Sequence, residues 1–154
     1  MKNVLITTLP FGKTDKTSIN LLKKNNINYY YNPKNKKFSR NELLKIIGNY
    51  HGIICGTDKI DRAVINKAKK LKIISRVGVG LNNLDLKSLK KSKIKVTYTP
   101  GAPTQTVAEY TIGLMIYLLR RINVSRKSLE KGKWLKIFGK NLNEAKIGII
   151  GFGR

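Results

Sequence analysis

The tightest constraint on this sequence is the way short apolar runs alternate with amphipathic stretches between its N-terminus and Tyr98. Residues 3–9, 28–32, 52–55, 73–77 and 95–98 read as strands: they are short and rich in β-branched or aromatic side chains. Residues 17–24, 39–48, 61–70 and 85–91 read as helices between them. The second of these opens with Ser39 and, three residues on, Glu42, a capping box ahead of Leu43, Leu44, Ile46 and Ile47, and closes near Gly48. Strands that are apolar without alternation need cover on both faces, and helices between successive strands give that cover when the strands run parallel. The order βαβαβαβαβ therefore predicts an α/β domain over residues 1–103, a doubly wound parallel sheet of flavodoxin-like type.

Beyond the turn at Pro100, Gly101 and Pro103 the pattern changes to one long helix, from Thr104 to Leu129. Its first half carries Val107, Ala108, Ile112, Leu114, Met115, Leu118 and Leu119 on nearly every side. Such a helix must be buried all round, so a second domain or a second subunit is expected to cover it. Residues 131–145 read as an extended arm bearing Trp134 and Phe138, and residues 146–150 as an apolar strand running into Gly151-Phe152-Gly153-Arg154. That ending has the form of the first turn of a dinucleotide fold. Glycine is needed there where the chain bends and where the backbone approaches a pyrophosphate held on the next helix. The third glycine of the pattern would fall past Arg154, so a plain glycine turn after an apolar strand is the competing reading. A buried-type strand at a chain end lacks a neighbour to pair with. Residues 104–154 are accordingly expected to be a linker helix, an arm and the start of an incomplete nucleotide-binding domain.

Composition narrows the rivals. Hydrophobic residues at 41% and charged residues at 26% are enough apolar material for a packed core. The formal charge of +24 makes nucleic acid or an anionic membrane surface the first rival partner, since Lys and Arg release counterions from phosphate. The lysines, however, recur along most of the chain between apolar runs, which weighs against a nucleic-acid partner. The densest stretch, residues 23–37, mixes Lys24, Lys34, Lys36 and Lys37 with Tyr29, Tyr30 and Tyr31, the residue types that hold phosphates and stack bases. One cysteine, Cys55, and one histidine, His51, make neither an internal disulfide nor a Cys/His metal site, so no metal is expected and a reducing, cytoplasmic setting is. No signal-peptide pattern opens the chain, and residues 107–119 fall short of the roughly 20 that a membrane span needs. Gly12-Lys13-Thr14 imitates a phosphate loop, but Thr7 stands where that loop's first glycine belongs, which argues against nucleotide hydrolysis.

The segment from Ser75 to Asp85 follows the fourth strand at its carboxyl end, where open α/β sheets place their ligands. Gly78 and Gly80 in a tight turn free backbone N–H groups to face an anion such as a carboxylate, with Arg76 adding a charge. The alternative is an ordinary strand-to-helix turn capped by Asp85. Taken together, Arg76-Val-Gly-Val-Gly-Leu-Asn-Asn-Leu-Asp85, Thr99-Pro-Gly-Ala-Pro-Thr-Gln-Thr-Val-Ala-Glu109 and Lys146-Ile-Gly-Ile-Ile-Gly-Phe-Gly-Arg154 resemble the D-isomer-specific 2-hydroxyacid dehydrogenase family, its phosphoglycerate dehydrogenase branch in particular.

The resemblance implies a substrate-binding lobe, a helix and arm that build a homodimer interface, and a nucleotide-binding domain using NAD or NADP. It places the carboxylate of a small 2-hydroxy or 2-keto acid against Arg76, Val77, Gly78 and Val79. Val79 and Thr106 would lie near the nicotinamide, and Gly151, Gly153 and Arg154 would begin the pyrophosphate loop. The family's catalytic Arg, Glu and His fall beyond the last residue of this chain, so no catalytic residue is assigned within it. Many phosphoglycerate dehydrogenases carry an Arg for the substrate phosphate where this sequence has Gly56-Thr57. A non-catalytic dimerising paralogue and a basic nucleic-acid-binding protein are the alternatives.

Overall fold

The computed structural model describes residues 1–32, 35–151 and 153, and the chain divides into two compact units, Met1–Pro100 and Gly101–Arg154. In the first unit β1 (Lys2–Ile6), α1 (Thr17–Lys24), β2 (Ile27–Tyr31), α2 (Arg40–Ile46), β3 (Gly52–Cys55), α3 (Arg62–Lys67), β4 (Ile73–Arg76), α4 (Leu86–Lys91) and β5 (Lys95–Tyr98) follow one another. The strands form one parallel sheet in the order β2-β1-β3-β4-β5, the doubly wound arrangement that the alternation predicts.

Register decides which side chains share a face. Leu5, Ile53, Ile74 and Val96 are successive partners across β1, β3, β4 and β5, so they form one row. That row packs with Leu43 of α2, Val64 and Ile65 of α3 and Leu89 of α4 into the main core. Side chains one position along, Ile6, Ile54, Ser75 and Thr97, point to the opposite face. There α1 contributes buried Ile19 over the β1–β2 half.

Capping explains why the helices start where they do. The Ser39 side chain accepts from the Glu42 amide while Glu42 accepts from the Ser39 amide, closing the capping box. Asp61 accepts from the Val64 amide and Asp85 from the Ser88 amide, so each carboxylate sits on the electropositive end of the helix it opens. Arg40 also donates to Asp61 at 2.8 Å, tying α2 to the start of α3.

The second unit departs from the sequence expectation in two places. The single helix expected from Thr104 to Leu129 is two, α5 (Thr104–Leu119) and α6 (Ile122–Glu130). Between them Arg121 takes a left-handed backbone with φ of 51°, which no helix can continue through. The arm secures the break: the Lys140 amide donates to the Leu119 carbonyl at 2.9 Å, and Arg120 donates to Asn141 at 2.8 Å. Gly139 permits that approach, since a Cβ there would stand 2.5 Å from the Leu119 oxygen. Residues 146–150, expected as a strand, pair with nothing among the described residues and form no strand. A strand exists only by its partner's hydrogen bonds, and this segment has none to take.

Ser39→Ala should cost about 1 kcal/mol by loss of the box, read as a lower urea midpoint at unchanged slope. The Arg40 hydrogen bond first, then the Val64 amide, hold the Asp61 carboxyl below its ordinary value of 3.8. A depressed folded pKa contributes stability present above the unfolded value and lost as pH falls through the folded one. Stability should therefore be level above the ordinary carboxylate range and decline below it, and Asp61→Asn should make that decline shallower in an acid titration followed by circular dichroism.

Candidate functional site

At the carboxyl end of the sheet three loops are tied to one another through a buried carboxylate. Asp58, 6% exposed, accepts from the Thr7 hydroxyl at 2.6 Å and from the Gly56 amide at 3.2 Å through one oxygen. Its backbone carbonyl and that of Gly56 both accept from the side-chain amide of Asn83, at 2.7 and 3.2 Å. The Asn83 carbonyl in turn accepts from the Ile60 amide. The segments after β1, β3 and β4 are thus one hydrogen-bonded block, and among the described residues the Asp58 Oδ1 has no partner. Sequence reasoning missed Asp58. The only signal for it was an acidic residue two places after Gly56 in an otherwise basic chain, which is too common to single out.

Beside this block lies the Arg76–Gly80 turn. The Val77 amide donates to the Cys55 carbonyl at 2.8 Å, extending the β3–β4 ladder by one bond. The Gly78 amide donates to the Thr99 hydroxyl at 2.8 Å and the Thr99 amide to the Gly78 carbonyl at 3.1 Å, a reciprocal clasp. Gly78 has φ of 137°, a backbone conformation that side chains resist. The Arg76 guanidinium folds back over it to the Val77 carbonyl and occupies the place of any Cβ. Among the described residues Val79 and Gly80 are the amides of this turn with no intramolecular partner, and the buried Arg76 Nε has none either. Of the donors expected at Val77, Gly78 and Val79, two are engaged internally. Of that expected set only the Val79 amide stays free, joined by the Gly80 amide.

Cys55 is fully buried beneath the turn. Burial first, and the Asp58 charge second, push its thiol up to about 12. A thiol so held stays protonated and is no nucleophile at neutral pH. His51 accepts from the Asn3 amide at 3.2 Å through Nδ1, a structural role at the amino end of β3, far along the strand from the loops.

The remaining expected positions belong to the second unit. Thr106 stands exposed in the first turn of α5, and Gly151 and Gly153 are exposed near the chain end. Gly151 has φ of 90°, a backbone conformation that glycine adopts readily. Arg154 lies outside the described residues. Glu109 accepts from Gln105 at 2.7 Å on an exposed surface. Tyr29 and Tyr31 lie on one face of β2 and Tyr30 on the other, against Tyr50, so the three rings make no continuous stacking platform. Among the described residues no helix is long and apolar enough to cross a membrane.

Residues 4–145 match the family described as D-isomer specific 2-hydroxyacid dehydrogenase, catalytic domain. The chain belongs to this family. It is 40% identical over 123 residues to a glyoxylate reductase of Thermofilum pendens, covering 75% of this chain and 36% of that one. It is 41% identical over 117 residues to a hydroxypyruvate reductase of Thermotoga maritima, covering 74% and 38%. The NAD+-bound 3-phosphoglycerate dehydrogenase of Entamoeba histolytica superposes with a TM-score of 0.73 at 28% identity, over 92% of this chain and 43% of that one. The chain therefore spans well under half the length of these members of the 2-hydroxyacid dehydrogenase family.

Asp58→Ala strands the Thr7 hydroxyl and the Gly56 amide and should cost roughly 2–3 kcal/mol. Hydrogen exchange at Gly56 and Asn83 should rise with it, while Asp58→Asn loses less. Cys55 should react with a disulfide reagent only at the rate of global unfolding; fast labelling of the native chain would show the thiol exposed.

Proposed function

We propose that this chain is the substrate-binding lobe, with the start of the nucleotide-binding domain, of an oxidoreductase that transfers hydride between NAD or NADP and the C2 of a small D-2-hydroxy or 2-keto acid. The observation that carries this reading is the pair of unpartnered amides at Val79 and Gly80 beside Arg76, at the carboxyl end of β4 where such sheets take ligands. A substrate carboxylate would accept from those amides and be paired by the guanidinium, a charge-assisted contact that fixes the acid's orientation. The Thr99 clasp on Gly78 and the Asp58 block hold the turn in shape before substrate arrives, so less ordering is left for binding to pay for.

A nicotinamide, when bound, supplies or accepts the hydride. The chain's own share on that side would be Val79 and Thr106 near the ring and Gly151, Gly153 and Arg154 at the pyrophosphate. The positive φ of Gly151 is the backbone such a loop needs and supports this part of the reading. By the family resemblance a His paired with a carboxylate would move the hydroxyl proton while an Arg polarises the oxygen, and none of the three is assigned within this chain. Gly56-Thr57 offers no guanidinium for a phosphate, which favours unphosphorylated acids such as those in the names of the glyoxylate and hydroxypyruvate reductases.

Pairing into a homodimer belongs to the same proposal. None of the sixteen residues of α5 is buried, with Val107, Tyr110, Ile112 and Leu118 all more than half exposed. An apolar face of that kind on a chain of this family calls for a second copy.

The decisive assay measures NADH oxidation by the protein that carries this chain, with glyoxylate and hydroxypyruvate as substrates. Arg76→Gln should raise KM by about tenfold or more, the worth of one charge-assisted hydrogen bond. Unchanged KM would remove Arg76 from the site. The 154 residues alone should show no turnover and should sediment as a dimer; a strictly monomeric chain would count against the α5 interface.

A further inference from the structure

The first unit contains a concavity on the face of the sheet opposite to Cys55 and Arg76. It is a cavity of about 490 Å³ at the carboxyl ends of β1 and β2, within the size range of small-ligand pockets. Ile6, Ile19, Phe11, Tyr29 and Tyr31 wall it, the two tyrosine rings meeting edge to face at 5.9 Å. Lys13, Lys16 and Lys23 line it as well, and among the described residues no carboxylate does. The nearest acid in sequence, Asp15, is taken up by the Thr17 amide and hydroxyl at 2.8 and 2.6 Å.

Two sequence features that the dehydrogenase reading leaves unused meet here. One is the Gly12-Lys13-Thr14 turn that imitates a phosphate loop, and the other is the lysine- and tyrosine-rich run around β2. The fold brings them to one place because β1 and β2 are adjacent and parallel, with Ile6 opposite Tyr31. The Tyr31 hydroxyl donates to the Phe11 carbonyl at 2.5 Å, pinning the β1–α1 loop to β2. Lys13 donates to Asn35 at 2.6 Å, closing the same loop from the other side. Gly12, with φ of 69°, lies against Ile19 and the Tyr31 hydroxyl, and a side chain there would enter the space those two occupy.

We propose that this cavity binds a small aromatic anion, its ring against Ile19, Phe11 and Tyr31 and its phosphate or carboxylate among Lys13, Lys16 and Lys23. Apolar walls and clustered cations of one sign select together for a ligand that has both a flat body and a charged head. Inorganic phosphate satisfies only the second, and a neutral ring only the first. The site shares no side chain with the Arg76–Gly80 turn, so its occupant is a separate ligand from the 2-hydroxy acid.

Isothermal titration of the full chain with phenyl phosphate, benzoate and inorganic phosphate tests this. One of the two aromatic anions should bind about tenfold or more tighter than inorganic phosphate, and which of them does identifies the head group. Lys16→Gln with Lys23→Gln should weaken that binding by about tenfold, with the circular dichroism spectrum and melting temperature unchanged. Lys69→Gln with Lys70→Gln, removing the same charge beyond α3, should leave it within about twofold. Equal losses in the two double variants, or phosphate binding as tightly as the aromatic anions, would reduce the site to general attraction by a chain of charge +24 and overturn the proposal. No binding by either aromatic anion would overturn it as well.

Discussion

The hydrogen bond from the Thr7 hydroxyl to the buried Asp58 carboxylate holds the working end of the first unit together. Parallel strands end in loops that have no ladder of their own, so each loop needs an outside tie to hold one shape. Here the tie is shared. Asp58 receives Thr7 from β1 and Gly56 from its own loop, and Asn83 returns from beyond β4 to two carbonyls of that loop. A charge buried in this way costs free energy unless it is bonded, so the loops it organises are held by the penalty of letting go as much as by the contacts themselves.

Much of the fold was legible because the signals were local. Ser39 with Glu42, Asp61 and Asp85 announce their helices through residues within one turn, and all three caps form. The parallel order follows from strands that want cover on both sides. The break at Arg121 was not legible, since no glycine or proline marks it between residues 104 and 129 beyond Gly113, while the arm that secures it, through Lys140 and Asn141, returns to Leu119 and Arg120 from far along the sequence. The strand expected at 146–150 fails for a related reason: its composition is right, but pairing is a property of two segments.

The candidate site divides in the same way. The glycines of the Arg76–Gly80 turn show in the sequence because close backbone approach demands them, and Gly78 proves to be a position where the Arg76 guanidinium leaves no room for a Cβ. Which amides remain available did not show, because that depends on Cys55 and Thr99, distant in sequence and adjacent in space. Asp58 likewise gains its meaning only from Thr7 and Asn83. The family could be recognised from three ordered motifs, whereas the sharing of hydrogen bonds among them required coordinates.

The charge of +24 bears on how α5 can meet a second copy. Two such chains repel at long range, yet α5 itself carries a single charged side chain, Glu109, among its sixteen residues. Repulsion thus resides in the flanks and attraction in the rod. Electrolyte shortens the reach of the first, to about 10 Å at 0.1 M, and leaves the second in force. The self-association proposed for α5 would accordingly be a brine-favoured process, opposite in sign to the grip of a polycation on DNA.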